Sequence, residues 1–164
     1  MAEEAPRDPL GLVRGGEGAI TGTVVCAAAI AAGASHTDST GQLSLIIIGT
    51  VGVYWIAHLH AVTIGSSLTH RHHPMVALRH ALVETLPIAG ASVVPLGVLL
   101  GTTLLGAEVY TAAWTALIAT ICLLTGYSYI AGARGGLELS GRIAAAAAGA
   151  GVGLLVVLLK VGLH

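Results

Sequence analysis

Charged side chains are scarce in this sequence, and their scarcity excludes most classes of soluble protein. Only 9% of the 164 residues are Asp, Glu, Lys or Arg, whereas 55% are hydrophobic. A soluble domain carries about 25% charged residues, so this chain cannot coat a water-facing surface with charge. The net charge of −1 also argues against nucleic-acid binding, which needs a basic surface. The composition predicts an integral membrane protein with a single domain.

Cysteine is scarce as well, and the common catalytic motifs are absent. The two cysteines, Cys26 and Cys122, lie in apolar runs, where we expect small buried side chains rather than a disulfide or a CxxC metal motif. The sequence has no HExxH, GxSxG, P-loop or paired-Asp motif, so we expect no enzyme activity. Phe is absent and Lys occurs once, while Ala and Gly are abundant, which is typical of a GC-rich bacterial genome.

Long apolar runs occupy most of the chain. We interpret residues 1–17 as a polar N-terminal arm and residues 18–164 as a transmembrane domain. The predicted spans cover residues 18–35, 43–66, 77–105, 108–131 and 142–161. Helices are expected because lipid offers no partner for unpaired backbone groups and the runs lack the alternation of barrel strands. The predicted fold class is an all-α, polytopic transmembrane helical bundle.

The basic residues predict the orientation of the bundle. Six of the seven Lys and Arg residues precede the first span or lie in the connections after the second and fourth spans, and only Lys160 lies on the other side. Because basic residues are retained on the cytoplasmic side, we expect a cytoplasmic N-terminus. The predicted location is the bacterial inner (plasma) membrane, with the lipid bilayer as the main partner.

Small residues recur every four positions in the first and last predicted spans. The last span contains Ala145, Gly149 and Gly153, and the first contains Gly18, Gly22 and Cys26 beside a second small register, Ala19, Thr23, Ala27 and Ala31. Such stripes let helix backbones approach closely. Either they form the interface of a homo-oligomer, which we expect, or they pack helices within one chain.

Two prolines interrupt the third predicted span. Proline lacks a backbone N–H and clashes with the preceding turn, so Pro87 and Pro95 are expected to kink this helix. The kinks would free the carbonyl groups near Val83 and Ala91. Freed carbonyls can coordinate ions, although most kinks in membrane helices are structural.

Ionisable side chains inside the predicted spans are the main functional candidates, because placing them in lipid is costly. The second span contains Tyr54, His58 and His60, and the third contains His80 and Glu84. His58 and Glu84 lie roughly 12 Å and 10 Å from the inner ends of their spans, so a helical hairpin puts them at one depth. Tyr54 shares a helix face with His58, and His80 shares one with Glu84. His60 lies about 200° around the helix from His58, so we expect His58 to face Glu84.

Three functions are compatible with this cluster. The first is a small channel or transporter for protons or a divalent transition metal, in which these five residues form the ion pathway and His58, Glu84 and His80 could bind the metal. The second is a non-transporting accessory or scaffold subunit of a larger membrane complex, in which the His–Glu pair is structural. The third is a redox subunit with His58 and His80 as axial haem ligands.

Three further histidines lie in the connection between the second and third spans. His70, His72 and His73 surround Arg71 just before Pro74. Imidazole groups in such a cluster can gather a metal ion at the cytoplasmic mouth. A solvated basic turn is the alternative interpretation.

Two short motifs resemble a known group of proteins. The stretch Trp55-Ile56-Ala57-His58-Leu59-His60-Ala61 and the tail Leu159-Lys160-Val161-Gly162-Leu163-His164 are similar to a group of small actinobacterial integral membrane proteins of unassigned function. That group often has a W-x-A-H-x-x-A helix and a closing L-K-V-x-x-H. The resemblance implies a membrane location and singles out His58, and it transfers no mechanism. His60 stands where the group more often has an aromatic residue.

The predicted orientation can be tested by cysteine labelling in intact cells. In a background with both native cysteines replaced by alanine, Ser39→Cys should react with a membrane-impermeant maleimide from outside. Ser67→Cys and Gly136→Cys should react only after the membrane is permeabilised, because their connections belong to the basic, cytoplasmic side. The reverse labelling pattern would contradict the predicted orientation.

Overall fold

The structure is a computed structural model that describes residues 16–70 and 74–162. The described residues form six α-helices and no strand: α1 (Gly16–Gly33), α2 (Thr40–His70), α3 (Pro74–Gly90), α4 (Val93–Leu104), α5 (Val109–Arg134) and α6 (Leu139–Gly162). With α3 and α4 counted as one segment, five helical segments are long and apolar enough to cross a membrane. The predicted all-α bundle with five spans is therefore confirmed.

The connections define two ends of the bundle. We call the end that carries the start of α1 and the α2–α3 and α5–α6 connections the proximal end, and the other the distal end. A glycine with positive φ follows the C-cap residue of α4 and of α5, Gly106 at +90° and Gly136 at +76°. The residues that follow, Ala107 and Leu137, donate backbone hydrogen bonds to carbonyls five positions back. These are Schellman motifs, which glycine adopts without steric cost.

The helix α1 lies at the centre of the bundle and contacts α2, α3, α5 and α6. It can do so because most of its buried side chains are small. Gly22 lies directly against the backbone of Ile88 in α3, and Gly33 makes room for the side chain of Leu43 in α2. Backbones that approach this closely gain dispersion contacts that larger side chains would prevent.

The third predicted span consists of two helices rather than one kinked helix. Residues Ala91 and Ser92 form a turn between α3 and α4, and the Ser92 hydroxyl donates a hydrogen bond to the carbonyl of Ala89. Pro95 lies in the first turn of α4, where a missing N–H leaves no hydrogen bond unmade. It therefore starts a new helix, whereas Pro87 lies inside α3. As a result, α3 packs on α1 and α2, while α4 packs mainly on α5.

An apolar core fills the distal half of the bundle. It is built from buried side chains of α1, α2, α4 and α5, among them Ile30, Leu43, Ile47, Leu99 and Leu117. The two threonines buried beside it, Thr23 and Thr120, donate their hydroxyl hydrogen bonds to carbonyls one turn back in their own helices. Their polar groups are thus satisfied locally and leave no hydroxyl open between the helices.

The glycine stripe of α6 is used within the chain. Gly149 lies against the Ser128 hydroxyl and the Leu124 carbonyl of α5, and Gly153 lies against the side chain of Ile121. These contacts favour intrachain packing over an oligomer interface for this stripe. The small residues left exposed on α6 lie on its other face and are Ala144, Ala147, Ala148 and Gly151.

Two neighbouring glycines of α6 provide a matched test of this packing. Gly149→Ala should lower the free energy of unfolding by roughly 1–3 kcal/mol, because the added methyl group overlaps atoms of α5. Gly151→Ala is the control, since a methyl group there meets no atom within 4 Å, and it should stabilise the helix by up to about 1 kcal/mol. Thermal unfolding of both variants in the same detergent measures the difference. Equal effects of the two substitutions would contradict the helix contact.

Candidate functional site

A hydrogen bond between α2 and α3 sets the depth of the candidate residues. The indole Nε1–H of Trp55 donates to Oγ1 of Thr85 at 3.1 Å. Thr85 is 1% exposed, and its own hydroxyl donates to the carbonyl of Ala81 at 2.8 Å. The two helices are antiparallel, so residues displaced equally from this hydrogen bond toward the proximal end lie at equal depth.

Counting from this hydrogen bond places His58 and Glu84 at nearly the same depth. His58 lies three residues, about 4.5 Å, from Trp55 toward the proximal end, and Glu84 lies one residue, about 1.5 Å, from Thr85 in the same direction. The difference is about 3 Å along the helix axis. The packing of α2 on α3 is thus consistent with the common depth predicted from the sequence.

His58 continues the face of α2 that is directed into the bundle. Leu43, Ile47 and Val51 are buried on this face, and His58 follows Val51 by seven residues, or two helical turns. His58 is half-buried, whereas His60 is exposed on the opposite face. Tyr54 stacks on His58 with a ring-centroid distance of 6.1 Å and an interplanar angle of 14°. The four-residue spacing puts both rings on one face of α2, and the two rings are in contact there.

His80 and Glu84 lie at the edge of the buried face of α3. Pro87 and Ile88 meet Gly18 of α1, and His80 and Glu84 precede Ile88 on the same face by eight and four residues. Both side chains are exposed. The contact between Gly18 and Ile88 fixes the relative depth of α1 and α3. Glu84 therefore lies near the level of Gly16, the first described residue of α1. We call Tyr54, His58, His80 and Glu84 the proximal cluster.

The direct His58–Glu84 pair expected from the sequence is not formed. Among the described residues, no hydrogen bond or ion pair reaches Glu84. The reason is that Ala77, Ala81 and Thr85 form the buried face of α3. Glu84 precedes Thr85 by one residue and is therefore rotated about 100° away from it.

The histidines of the α2–α3 connection add little to the described site. His72 and His73 lie outside the described residues, and His70 is the last residue of α2. Within residues 16–70 and 74–162, no three His, Cys, Asp or Glu side chains are placed to hold a metal ion together. The metal-gathering patch that these histidines suggested in the sequence stays a prediction.

The interhelical hydrogen bond of Trp55 was not predicted from the sequence. Trp55 and Thr85 are 30 positions apart, and nothing in their spacing links them before the register of the hairpin is known. One signal was available, because an indole N–H inside a membrane span needs an acceptor. Thr85 is also adjacent in sequence to Glu84, and Glu84 was expected at the depth of His58.

No family model, curated protein or solved structure matches this chain. The functional interpretation of the proximal cluster therefore rests on its geometry and chemistry.

The role of the Trp55–Thr85 hydrogen bond is testable by a pair of substitutions. Thr85→Val keeps the shape of the side chain but removes the acceptor, and it should lower the free energy of unfolding by about 1–3 kcal/mol, since the indole N–H is left without a partner. Thr85→Ser retains the hydroxyl and should cost less. Thermal unfolding and the Trp fluorescence of both variants provide the measurement. A larger loss for Thr85→Ser than for Thr85→Val would contradict a hydrogen-bonding role.

Proposed function

We propose that this chain is a small multi-pass membrane protein that handles cations, and that it takes up protons at the proximal cluster. The observation that carries the proposal is the position of His58 and Glu84, which lie within about 3 Å of the same depth on the neighbouring helices α2 and α3. Histidine changes charge near neutral pH, and a carboxylate at lipid depth requires a proton or a cation nearby. In this proposal the two groups exchange a proton through an intervening water molecule, because they make no direct contact.

A proton fits the described geometry better than a divalent metal. Transition metals in proteins take three or four ligands from side chains, and the described residues offer no group of three placed for this purpose. Proton transfer requires only two groups, connected directly or through one water molecule. Tyr54, stacked on His58, would hold the imidazole ring in a fixed orientation.

The direction of access follows from the distribution of charge. Six of the seven basic residues precede the first predicted span or lie in the sequence connections after the second and fourth, so the positive-inside rule favours a cytoplasmic location for the proximal cluster. The apolar core blocks the distal half of the single chain. We therefore propose a homo-oligomer in which a second copy provides the distal part of the path. The exposed small residues Ala144, Ala148 and Gly151 are a surface suited to this contact.

A second candidate function is that of a non-transporting subunit of a larger membrane complex. The observation that favours it is the same apolar core, in which the buried hydroxyls of Thr23 and Thr120 are satisfied by their own helices. In this alternative the proximal cluster is covered by another subunit and serves to fix helix packing. The two functions predict different behaviour for the same variants.

Substitution of Glu84 tests the proton-handling proposal. Glu84→Gln preserves shape and hydrogen bonding but cannot ionise, so proton uptake by proteoliposomes should fall by at least about tenfold, the effect of losing a general acid–base group. His58→Ala should act in the same way. A pH-sensitive dye inside the vesicles measures the uptake, and thermal unfolding of the same samples reports folding.

Two control variants make this test selective. Glu108→Gln removes a carboxylate at the distal end, and His60→Ala removes the imidazole on the opposite face of α2. Both should leave uptake unchanged because neither side chain belongs to the proximal cluster. If Glu84→Gln has no effect on uptake, while His58→Ala lowers the free energy of unfolding by about 1–3 kcal/mol, the cluster is structural and the second function is favoured.

A further inference from the structure

Lys160 is buried at the distal end without a hydrogen-bonding partner. The residue is 6% exposed, and its Nζ atom is buried with no hydrogen bond to any described residue. Lys160 lies in the last turn of α6. A lysine so near the end of a membrane helix ordinarily extends its ammonium group to the aqueous interface, so its position here needs another explanation.

Two aromatic rings of α5 provide that explanation. Nζ of Lys160 lies 4.5 Å from the ring centroid of Trp114 and 5.7 Å from that of Tyr110. The rings pack against each other edge to face, with centroids 6.2 Å apart. Both distances from Nζ are within the roughly 6 Å over which the electron-rich face of a ring attracts a cation. The rings thus replace part of the water that the ammonium group has lost.

Carboxylates lie beside this aromatic pair. Tyr110 also lines a surface depression that includes Asp38 and Glu108, together with Thr37 and Val109. The side chains of Asp38 and Glu108 are exposed, and neither forms an ion pair with another described residue. Uncompensated negative charge at the mouth of a site raises the local concentration of cations.

We infer that Tyr110 and Trp114, with the acidic depression beside them, form a binding site for small organic ammonium ions, and that Lys160 occupies this site in the free protein. Aromatic faces recognise ammonium groups by their charge and by the apolar groups around the nitrogen. An external ammonium ion would displace the lysine, which is tethered to α6 and can turn toward the aqueous interface. This inference is independent of the proton-handling function proposed for the other end of the bundle.

The reactivity of Lys160 reports whether this exchange occurs. Lys160 is the single lysine of the chain, so its acetylation by a membrane-impermeant amine reagent can be followed by mass spectrometry of the peptide that contains it. The probe is tetramethylammonium, which carries the required charge and cannot react with the reagent. In the unmodified protein, acetylation should be slow and should accelerate in a saturable way, by about tenfold, when tetramethylammonium occupies the rings.

A neutral analogue and two tryptophan variants complete the experiment. tert-Butanol has a similar size without the charge and should not accelerate acetylation. Trp114→Leu should make Lys160 reactive from the start and insensitive to tetramethylammonium, whereas Trp55→Leu, which removes the only other tryptophan, should keep the response. Rapid acetylation of the unmodified protein without the probe, no response to tetramethylammonium, or an equal response to tert-butanol would each overturn the inference.

Discussion

Close contact between helix backbones around α1 determines how the other helices are arranged. Gly22 lies against the backbone of Ile88, and this contact leaves no space for even a methyl group. Because α1 is thin, four other helices can reach it at once. In a membrane, where apolar side chains gain little by leaving lipid, such contacts supply much of the energy that associates the helices. The neighbouring helices can pack closely around α1 because α1 itself presents small residues to them.

The same packing determines where polar groups lie. α3 has small residues on its buried face, Ala77, Ala81 and Thr85, and leaves Glu84 beside them. α2 buries apolar residues on one face of its distal half. His58 lies on the same face, two helical turns beyond Val51 toward the proximal end. The bundle is therefore divided into a distal half with an apolar core and a proximal half in which the ionisable side chains of α2 and α3 are half-buried or exposed.

Much of the fold was predictable from the sequence, because lipid imposes strong constraints on it. The five spans follow from the length of the apolar runs, and the common depth of His58 and Glu84 follows from helical rise. The division of the third span at Ala91 and Ser92 did not follow, since Pro87 and Pro95 are both compatible with one kinked helix. Whether either proline lies at the start of a new helix depends on the neighbours to which α3 and α4 pack, and these are distant in sequence.

The candidate site was less predictable than the fold. Helical periodicity correctly joined Tyr54 to His58, but it does not specify the rotation of one helix relative to another. A rotation of about 100°, the angle between successive residues, decides whether Glu84 or Thr85 faces α2. The burial of Lys160 was missed for a related reason. Its charge pointed to the aqueous interface, and only tertiary contacts reveal the two rings of α5 within reach.

The unequal lengths of the helices have a consequence for the surrounding lipid. α2 and the combined α3–α4 segment each span 31 residues, about 46 Å, whereas α5 and α6 have 26 and 24 residues, about 39 Å and 36 Å. The two longer segments exceed α5 and α6 by about 8 Å, and all four are longer than a hydrocarbon layer of about 30 Å. Long helices fit such a layer by tilting, or by local thickening of the bilayer beside them. Either response makes the protein sensitive to acyl-chain length and gives it a preferred place in a membrane of uneven thickness.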